Sequence, residues 1–261
     1  MPTGDDASRE YGKLYPVARA ILSPIFRAGW RTYLRGAENL PASGPAIVCP
    51  NHTSVIDSFL LPSVLPRRIT FVGKAEYLDD WKTRYLFPAI GMIPLDRSGG
   101  DASTRALDAA AGVLRRGELF GIYPEGTRSR DGRLHKGHTG PARLALRTGA
   151  PLVPIGIIGT RDIQPPGANA PHPFRPCEIR IGRPIEVGRY ADRDGDRLVL
   201  RELTDELMYE IRALSRQEYV DEYATRKPDA LPAEPTTIVL GRDGNGSRAA
   251  DELVSPASAS G

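Results

Sequence analysis

The stretch Ala46-Ile47-Val48-Cys49-Pro50-Asn51-His52-Thr53-Ser54-Val55-Ile56-Asp57 begins as an uninterrupted apolar run and turns polar at Asn51. A short apolar run without alternation is the pattern of a strand buried on both faces, the usual state of a parallel sheet covered by helices. Helical spacing of apolar residues resumes over Val55–Leu65, and Thr53 and Ser54 stand just before it as candidate capping oxygens. His52 is thereby predicted on a strand-to-helix loop, at the C-terminal edge of a sheet where α/β sites collect.

Working outward, the same alternation continues. Strands are predicted at Ile69–Gly73, Ile90–Leu95, Leu119–Tyr123, Pro151–Ile158 and near Glu178–Ile181. Helices are predicted at Ala102–Arg116, ended by Gly117, at Pro141–Thr148, ended by Gly149, and at about Arg197–Ser215. The expected fold is α/β, with a central, mostly parallel sheet flanked by helices. Residues 14–34 precede it as an amphipathic helical segment in which Leu14, Val17, Ala18, Ile21, Leu22, Ile25, Phe26, Trp30 and Tyr33 recur at helical spacing. Pro16 and Pro24 argue for two short helices there, and Arg27, Arg31 and Arg35 would form a cationic row beside the stripe. Such a segment can pack on a core or lie in a lipid headgroup layer. The expected organisation is an amphipathic helical segment over 1–34 that can dock on a membrane, a catalytic domain over 35–223, and a disordered tail over 224–261, where Pro, Asp, Gly, Ser and Ala dominate.

Composition narrows the function classes. The chain has 261 residues, 40% of them apolar and 26% charged, with a net charge of +3. One substantial domain fits that length, and no apolar run reaches the roughly 18 residues that read as a spanning helix. The acidic start lacks the basic and apolar regions of a secretory signal, so a cytoplasmic location is expected. Only Cys49 and Cys177 are present, which indicates neither a disulfide framework nor a cysteine zinc site. Sparse aromatics and no basic cluster argue against nucleic acid as a partner.

His52 and Asp57 are five residues apart. On one continuous helix they would point roughly 140° from each other. With His52 before the helix and Asp57 in its first turns, the loop can fold back so that the carboxylate accepts the imidazole N–H. Such a pair orients the ring and stabilises imidazolium, making a general base for a substrate hydroxyl near neutral pH. A lone H-x-x-x-x-D is commonly just a polar loop, so the neighbouring strand ends matter. Tyr123-Pro124-Glu125-Gly126-Thr127-Arg128 follows one strand, with Gly126 leaving room for a ligand and Arg128 offering a planar fork suited to phosphate. Arg97 and Lys74 follow two other strands, which in a parallel sheet gathers all three cations at the edge that carries His52.

These segments resemble the four sequence blocks of glycerolipid acyltransferases of the lysophosphatidate acyltransferase (PlsC) type. Asn51–Asp57 is similar to the first block, Gly91-Met92-Ile93-Pro94-Leu95-Asp96-Arg97 to the second, Tyr123–Arg128 to the third and Leu152-Val153-Pro154-Ile155 to the fourth. They occur in the same order across about residues 34–185. The resemblance implies His52 as base and Asp57 as its orienting partner. It also implies Arg128, Arg97 and Lys74 as binders of an acceptor phosphate, and Glu125, Gly126 and Thr127 as parts of the acceptor loop. The implied reaction moves a fatty acyl group from acyl-CoA or acyl-carrier protein to a hydroxyl of lysophosphatidate, giving phosphatidate at the cytoplasmic face of the cell membrane as a peripheral protein, with no metal or redox cofactor. Pro94-Leu95 departs from the second block, where an aromatic or aliphatic residue followed by Ile or Val is usual, which points to an unusual acceptor such as another phosphorylated lipid or a glycolipid. Thioester hydrolysis is the competing use of the same base. A metal-dependent hydrolase using His52, Asp57, His135 and His138 is a further alternative, disfavoured by Gly137 between the last two. Cys49, three residues before His52, reads as a buried strand cysteine rather than a nucleophile.

Overall fold

A computed structural model describes residues 15–74, 92–95, 102–168, 170–190, 193 and 195–224. Helix α1 (Tyr15–Gly29) leads into strand β1 (Thr32–Arg35), a 3-10 turn at Ala37–Asn39, and strand β2 (Ala46–Pro50). Helix α2 (Asp57–Val64), strands β3 (Ile69–Lys74) and β4 (Met92–Leu95), helix α3 (Ala102–Arg115) and strand β5 (Leu119–Gly121) follow. The chain continues through strand β6 (Leu134–His135), helix α4 (Gly140–Thr148), strand β7 (Leu152–Ile158), the short helix α5 (Thr160–Ile163) and strand β8 (Cys177–Ile181). A 3-10 turn at Gly188–Tyr190, helix α6 (Arg197–Ser215) and strand β9 (Tyr219–Val220) complete it.

Seven strands form one sheet in the order β1-β8-β7-β2-β5-β3-β4, parallel at every pairing except β7 with β8. The apolar run at 46–50 lies at its centre, between β5 and β7, and is buried at all five positions. Period-two geometry sends Ile47 and Cys49 to one face, against α3, α4 and α6, and Ala46 and Val48 to the other, against α1 and α2. A continuous apolar run was therefore required at this position, because both faces are core. Gly117 and Gly149 adopt positive φ after α3 and α4, the conformation that ends a helix most readily at glycine. Asp196 caps α6 by accepting hydrogen bonds from the N–H groups of Leu198 and Val199.

The N-terminal segment differs from expectation. It is one helix, with Pro24 inside it, and it ends at Gly29 rather than near residue 34. Arg31 then takes positive φ, and Thr32–Arg35 becomes a strand pairing in parallel with β8. Tyr33 and Arg35 are thus strand residues, and Arg27, Arg31 and Arg35 do not form a helical row. Sheet pairing of a β-rich Thr-Tyr-Leu segment outweighs its weak helical periodicity. The apolar stripe also divides: Phe26 is buried and Leu22 and Trp30 pack against the core, whereas Val17, Ile21 and Ile25 are 56%, 57% and 49% exposed. Residues 90 and 91 of the strand predicted over Ile90–Leu95 and the tail beyond residue 224 lie outside the described residues. The two-stranded parallel sheet β6–β9 carries no sequence signal, since each strand is only two residues long.

Close packing of α6 on β7 depends on Gly156, where an added Cβ would lie 2.5 and 2.6 Å from backbone atoms of Leu214 and Ser215. Backbone cannot yield as a side-chain tip can. Gly156→Ala is expected to lower stability by at least about 1–3 kcal/mol, the usual cost of overpacking, read as a lower urea midpoint with unchanged slope.

Candidate active site

Three elements of the sheet's C-terminal edge converge on His52. After β2 the chain leaves the sheet at Asn51, whose side chain holds that exit: Oδ1 accepts from the Ile157 N–H at 2.6 Å, and Nδ2 donates to the Ile157 carbonyl at 2.9 Å. Asn51 Nδ2 also donates to Gln217 Oε1 at 2.7 Å, and Gln217 Nε2 donates to the Gly132 carbonyl at 2.8 Å. The loop then bends sharply before α2. Asp57, the first residue of α2 and fully buried, reaches back so that one oxygen, Oδ2, takes the N–H groups of Thr53 and Ser54 and the Nδ1 edge of His52, each at 2.9 Å. Ser54 does not cap the helix in the expected way. The cap position is Ile56, and the Asp57 carboxylate takes the loop N–H groups, while Ser54 Oγ donates to the Gln164 carbonyl.

With Nδ1 facing a carboxylate, the ring carries its proton there, and Nε2 is left as the lone-pair nitrogen. Among the described residues Nε2 has no hydrogen-bond partner, and the side chain retains 13% exposure. Tyr123 lies flat against the imidazole, with centroids 3.8 Å apart and planes 14° apart, and its hydroxyl bonds to Ser58 at 3.1 Å, one residue beyond Asp57. Phe71 stacks behind Tyr123 at 5.7 Å. Gly121 makes this column possible: it sits directly opposite Phe71 across the β3–β5 pair, and a Cβ there would lie within 2.1 Å of the Phe71 ring. Burial, with the nearby Asp57 charge, raises the Tyr123 phenol well above its ordinary range, so it stays protonated.

The second loop begins at Tyr123 with a tight turn in which the Gly126 N–H bonds to the Tyr123 carbonyl at 3.0 Å, Gly126 having φ of 71°. A side chain at 126 would also press on the His138 ring at 3.1 Å. Arg128 is exposed and, among the described residues, forms no ion pair, so its fork is available to a ligand. Thr127 is half-buried beside it. Glu125 points inward instead: Oε1 accepts from the His52 N–H at 3.1 Å and Oε2 from the His135 N–H at 3.0 Å. Lys74 ends β3, parallel to β5 and on the same edge, and its side chain, like all of Arg97, lies outside the described residues.

Other sequence candidates take different places. His135 bonds through Nε2 to Asp131 at 3.0 Å, and His138 stacks on Tyr223 at 4.6 Å, so the two rings have separate partners. His172 sits beyond α5, bonding to the Asp162 carbonyl. Cys49 is fully buried and desolvation pushes its thiol pKa up, which keeps it an inert core residue. Tyr123, Ser58, Ser129 and Gln217 were not foreseen as site residues. Tyr123 had a signal, since an aromatic immediately before Pro-Glu-Gly ends a strand paired with the one that precedes His52. Gln217 had none, being 166 residues from Asn51.

A family model described as acyltransferase matches residues 31–158, which contain every residue of the His52 and Arg128 loops. The chain is 32% identical over 164 residues to the chloroplastic 1-acyl-sn-glycerol-3-phosphate acyltransferase BAT2 of Brassica napus, covering 62% of this chain and 47% of that protein. It is 32% identical over 135 residues to the 1-acyl-sn-glycerol-3-phosphate acyltransferase alpha of Homo sapiens, covering 51% and 48%. The chain spans about half the length of these curated relatives. The crystal structure of the 1-acyl-sn-glycerophosphate acyltransferase PlsC from Thermotoga maritima superposes with a TM-score of 0.58 over 83% of this chain and 81% of that one, at 24% identity, which shows a shared fold. Residues 31–158 thus match an acyltransferase domain, and the chain, with its four blocks in order and two of them meeting around one histidine, is similar to acyltransferases of the PlsC type.

Proposed function

We propose that this protein transfers a fatty acyl group from an acyl thioester, acyl-CoA or acyl-carrier protein, to a free hydroxyl of lysophosphatidate, giving phosphatidate. The observation that carries the reading is the His52–Asp57 pair, with Nδ1 held at 2.9 Å and Nε2 left without a protein partner among the described residues. Nε2 takes the acceptor's hydroxyl proton as the oxygen attacks the thioester carbonyl. The Asp57 carboxylate stabilises the imidazolium that forms. Collapse of the tetrahedral intermediate breaks the C–S bond, and the imidazolium returns the proton to the departing sulfur, so no group on the protein is acylated. Arg128, exposed at the same edge, supports a phosphate-bearing acceptor, with Arg97 and Lys74 proposed as further cations and Gly126 and Thr127 as the turn that presents Arg128.

A membrane surface is the proposed source of the acceptor and destination of the product. Among the described residues no helix is long and apolar enough to cross a membrane. The outward row Val17, Ile21, Ile25 favours peripheral docking, because α1 packs on α2, the helix that begins at Asp57, through Tyr15 Oη to the Pro62 carbonyl and Ser23 to the Ser63 carbonyl. An acyl chain drawn from lipid along that surface would arrive near the base, each buried CH₂ contributing about 0.8 kcal/mol.

His52→Ala should lower turnover with labelled acyl-CoA and lysophosphatidate by roughly 10²–10⁴-fold, the usual worth of a general base, and wild-type turnover in this variant would end the assignment. Acyl-carrier protein in place of acyl-CoA identifies the donor in the same assay, and free fatty acid in place of phosphatidate would identify a hydrolase. Arg128→Ala is expected to raise KM for the phosphorylated acceptor roughly 10–100-fold with KM for acyl-CoA nearly constant; equal changes for both substrates would contradict phosphate binding. Replacing Val17, Ile21 and Ile25 together by Ser should weaken sedimentation with phosphatidate-containing vesicles at least about tenfold, whereas unchanged sedimentation would place docking elsewhere.

A further inference from the structure

We infer that Glu125 is a positioning residue that locks the proton-removing loop to the phosphate-holding loop, so that the two halves of the site move as one body. The inference rests on the general-base reading of His52 and adds a role for a carboxylate that touches neither the imidazole nor an exposed surface.

Glu125 is 1% exposed, and among the described residues no lysine or arginine pairs with it. A buried carboxylate without a cation is costly unless its oxygens are satisfied. Here each oxygen serves a different loop: Oε1 takes the N–H of His52, and Oε2 takes the N–H of His135. Four residues after Glu125, the Ser129 N–H donates to the His52 carbonyl at 2.7 Å. Both polar atoms of the His52 backbone are therefore held by the segment that carries Arg128. With Asp57 fixing the ring through Nδ1, His52 is held at its backbone by one loop and at its side chain by the other. A phosphate drawing on Arg128 would then act on a loop tied directly to the base, which places a hydroxyl a fixed distance from Nε2.

The clamp depends on two acceptors at one side chain. Gln offers one carbonyl oxygen, and its NH₂ group would face a donor N–H, so Glu125→Gln keeps one tie and breaks the other. Asp is one methylene shorter and cannot reach both amides. Charged and titratable groups around the carboxylate are the His135 ring, which favours its ionised form, and Asp131, which disfavours it; desolvation is the larger influence and pushes the Glu125 carboxyl up to about 7.

Two measurements test this on the whole 261-residue chain. In the acyl-CoA and lysophosphatidate assay, Glu125→Gln and Glu125→Asp are expected to lower kcat on the order of tenfold or more while both KM values stay within about twofold, as for an interaction made through the base rather than with substrate. Placed on the His52→Ala background, Glu125→Gln should then cost little more. A raised KM for the acceptor with kcat retained would make Glu125 a substrate ligand and overturn the proposal, as would wild-type kinetics. The second measurement needs no variant and no activity: the backbone amide protons of His52 and His135 in the wild-type protein should shift downfield together with one midpoint near pH 7, as a shared carboxylate ionises. Independent titrations, or no response at either amide, would overturn the clamp even if acyl transfer is confirmed. Absence of acyl transfer with the shared titration present would instead remove the proposed function and leave the clamp standing.

Discussion

Oδ2 of Asp57 accepts from three donors, the Thr53 N–H, the Ser54 N–H and His52 Nδ1, and the geometry of the site depends on that convergence. Charge-assisted bonds of this kind are roughly twice as strong as neutral ones, and they are formed here by a side chain with no exposure. They force the chain to reverse between β2 and α2. A helix running straight through residues 52–57 would separate the two side chains by more than a third of a turn. One carboxylate thus shapes the loop, orients the ring and leaves Nε2 free, and none of the three could be kept if it were moved one position along the helix.

Around that centre, the sheet supplies rigidity. β2 lies between β5 and β7, and each neighbour anchors the exit to His52. From β7, the Ile157 peptide is bonded on both its N–H and carbonyl to the Asn51 side chain. From the β5 side, Tyr123 stacks on the imidazole and Glu125 and Ser129 hold its backbone. The stack in turn needs a bare position at Gly121 for the Phe71 ring to lie upon, so a residue in the middle of the sheet governs how flat the surface beneath the imidazole can be. A strap from the C-terminal end of the described chain, Gln217 with β9, ties the same loop from outside.

Much of this was legible before any coordinates. The apolar runs at 46–50 and 151–158 read as buried strands because both faces of a central parallel strand are core, which leaves an unmistakable composition. Glycines 117 and 149 marked helix ends because few residues other than glycine adopt positive φ there readily. The His52–Asp57 contact was also foreseeable, since a spacing of five makes sense only across a bend. The N-terminal helix was read too long and as two pieces: the periodicity of Tyr33 fits a helix, but β1 gains a pairing with β8 that sequence cannot show. The orientation of Glu125 was hidden for the same reason. As part of an exposed-looking turn it reads as an acceptor contact, and only the approach of His135 and His52 from two other segments turns it inward.

Sequence alone therefore determined the class of fold, the family likeness and the contact between His52 and Asp57, because these follow from local periodicity, from the order of short motifs and from a spacing of a few residues. Tertiary structure decided which nitrogen of His52 is free, which aromatic supports it, how the apolar stripe of α1 divides between core and surface, and which carboxylate ties the two loops together. Most of these facts rest on contacts between distant residues, 47 positions apart for Tyr15 and Pro62, 65 for Ser58 and Tyr123 and 73 for His52 and Glu125, set by the order in which elements lie side by side, and no pattern along the chain encodes that order directly.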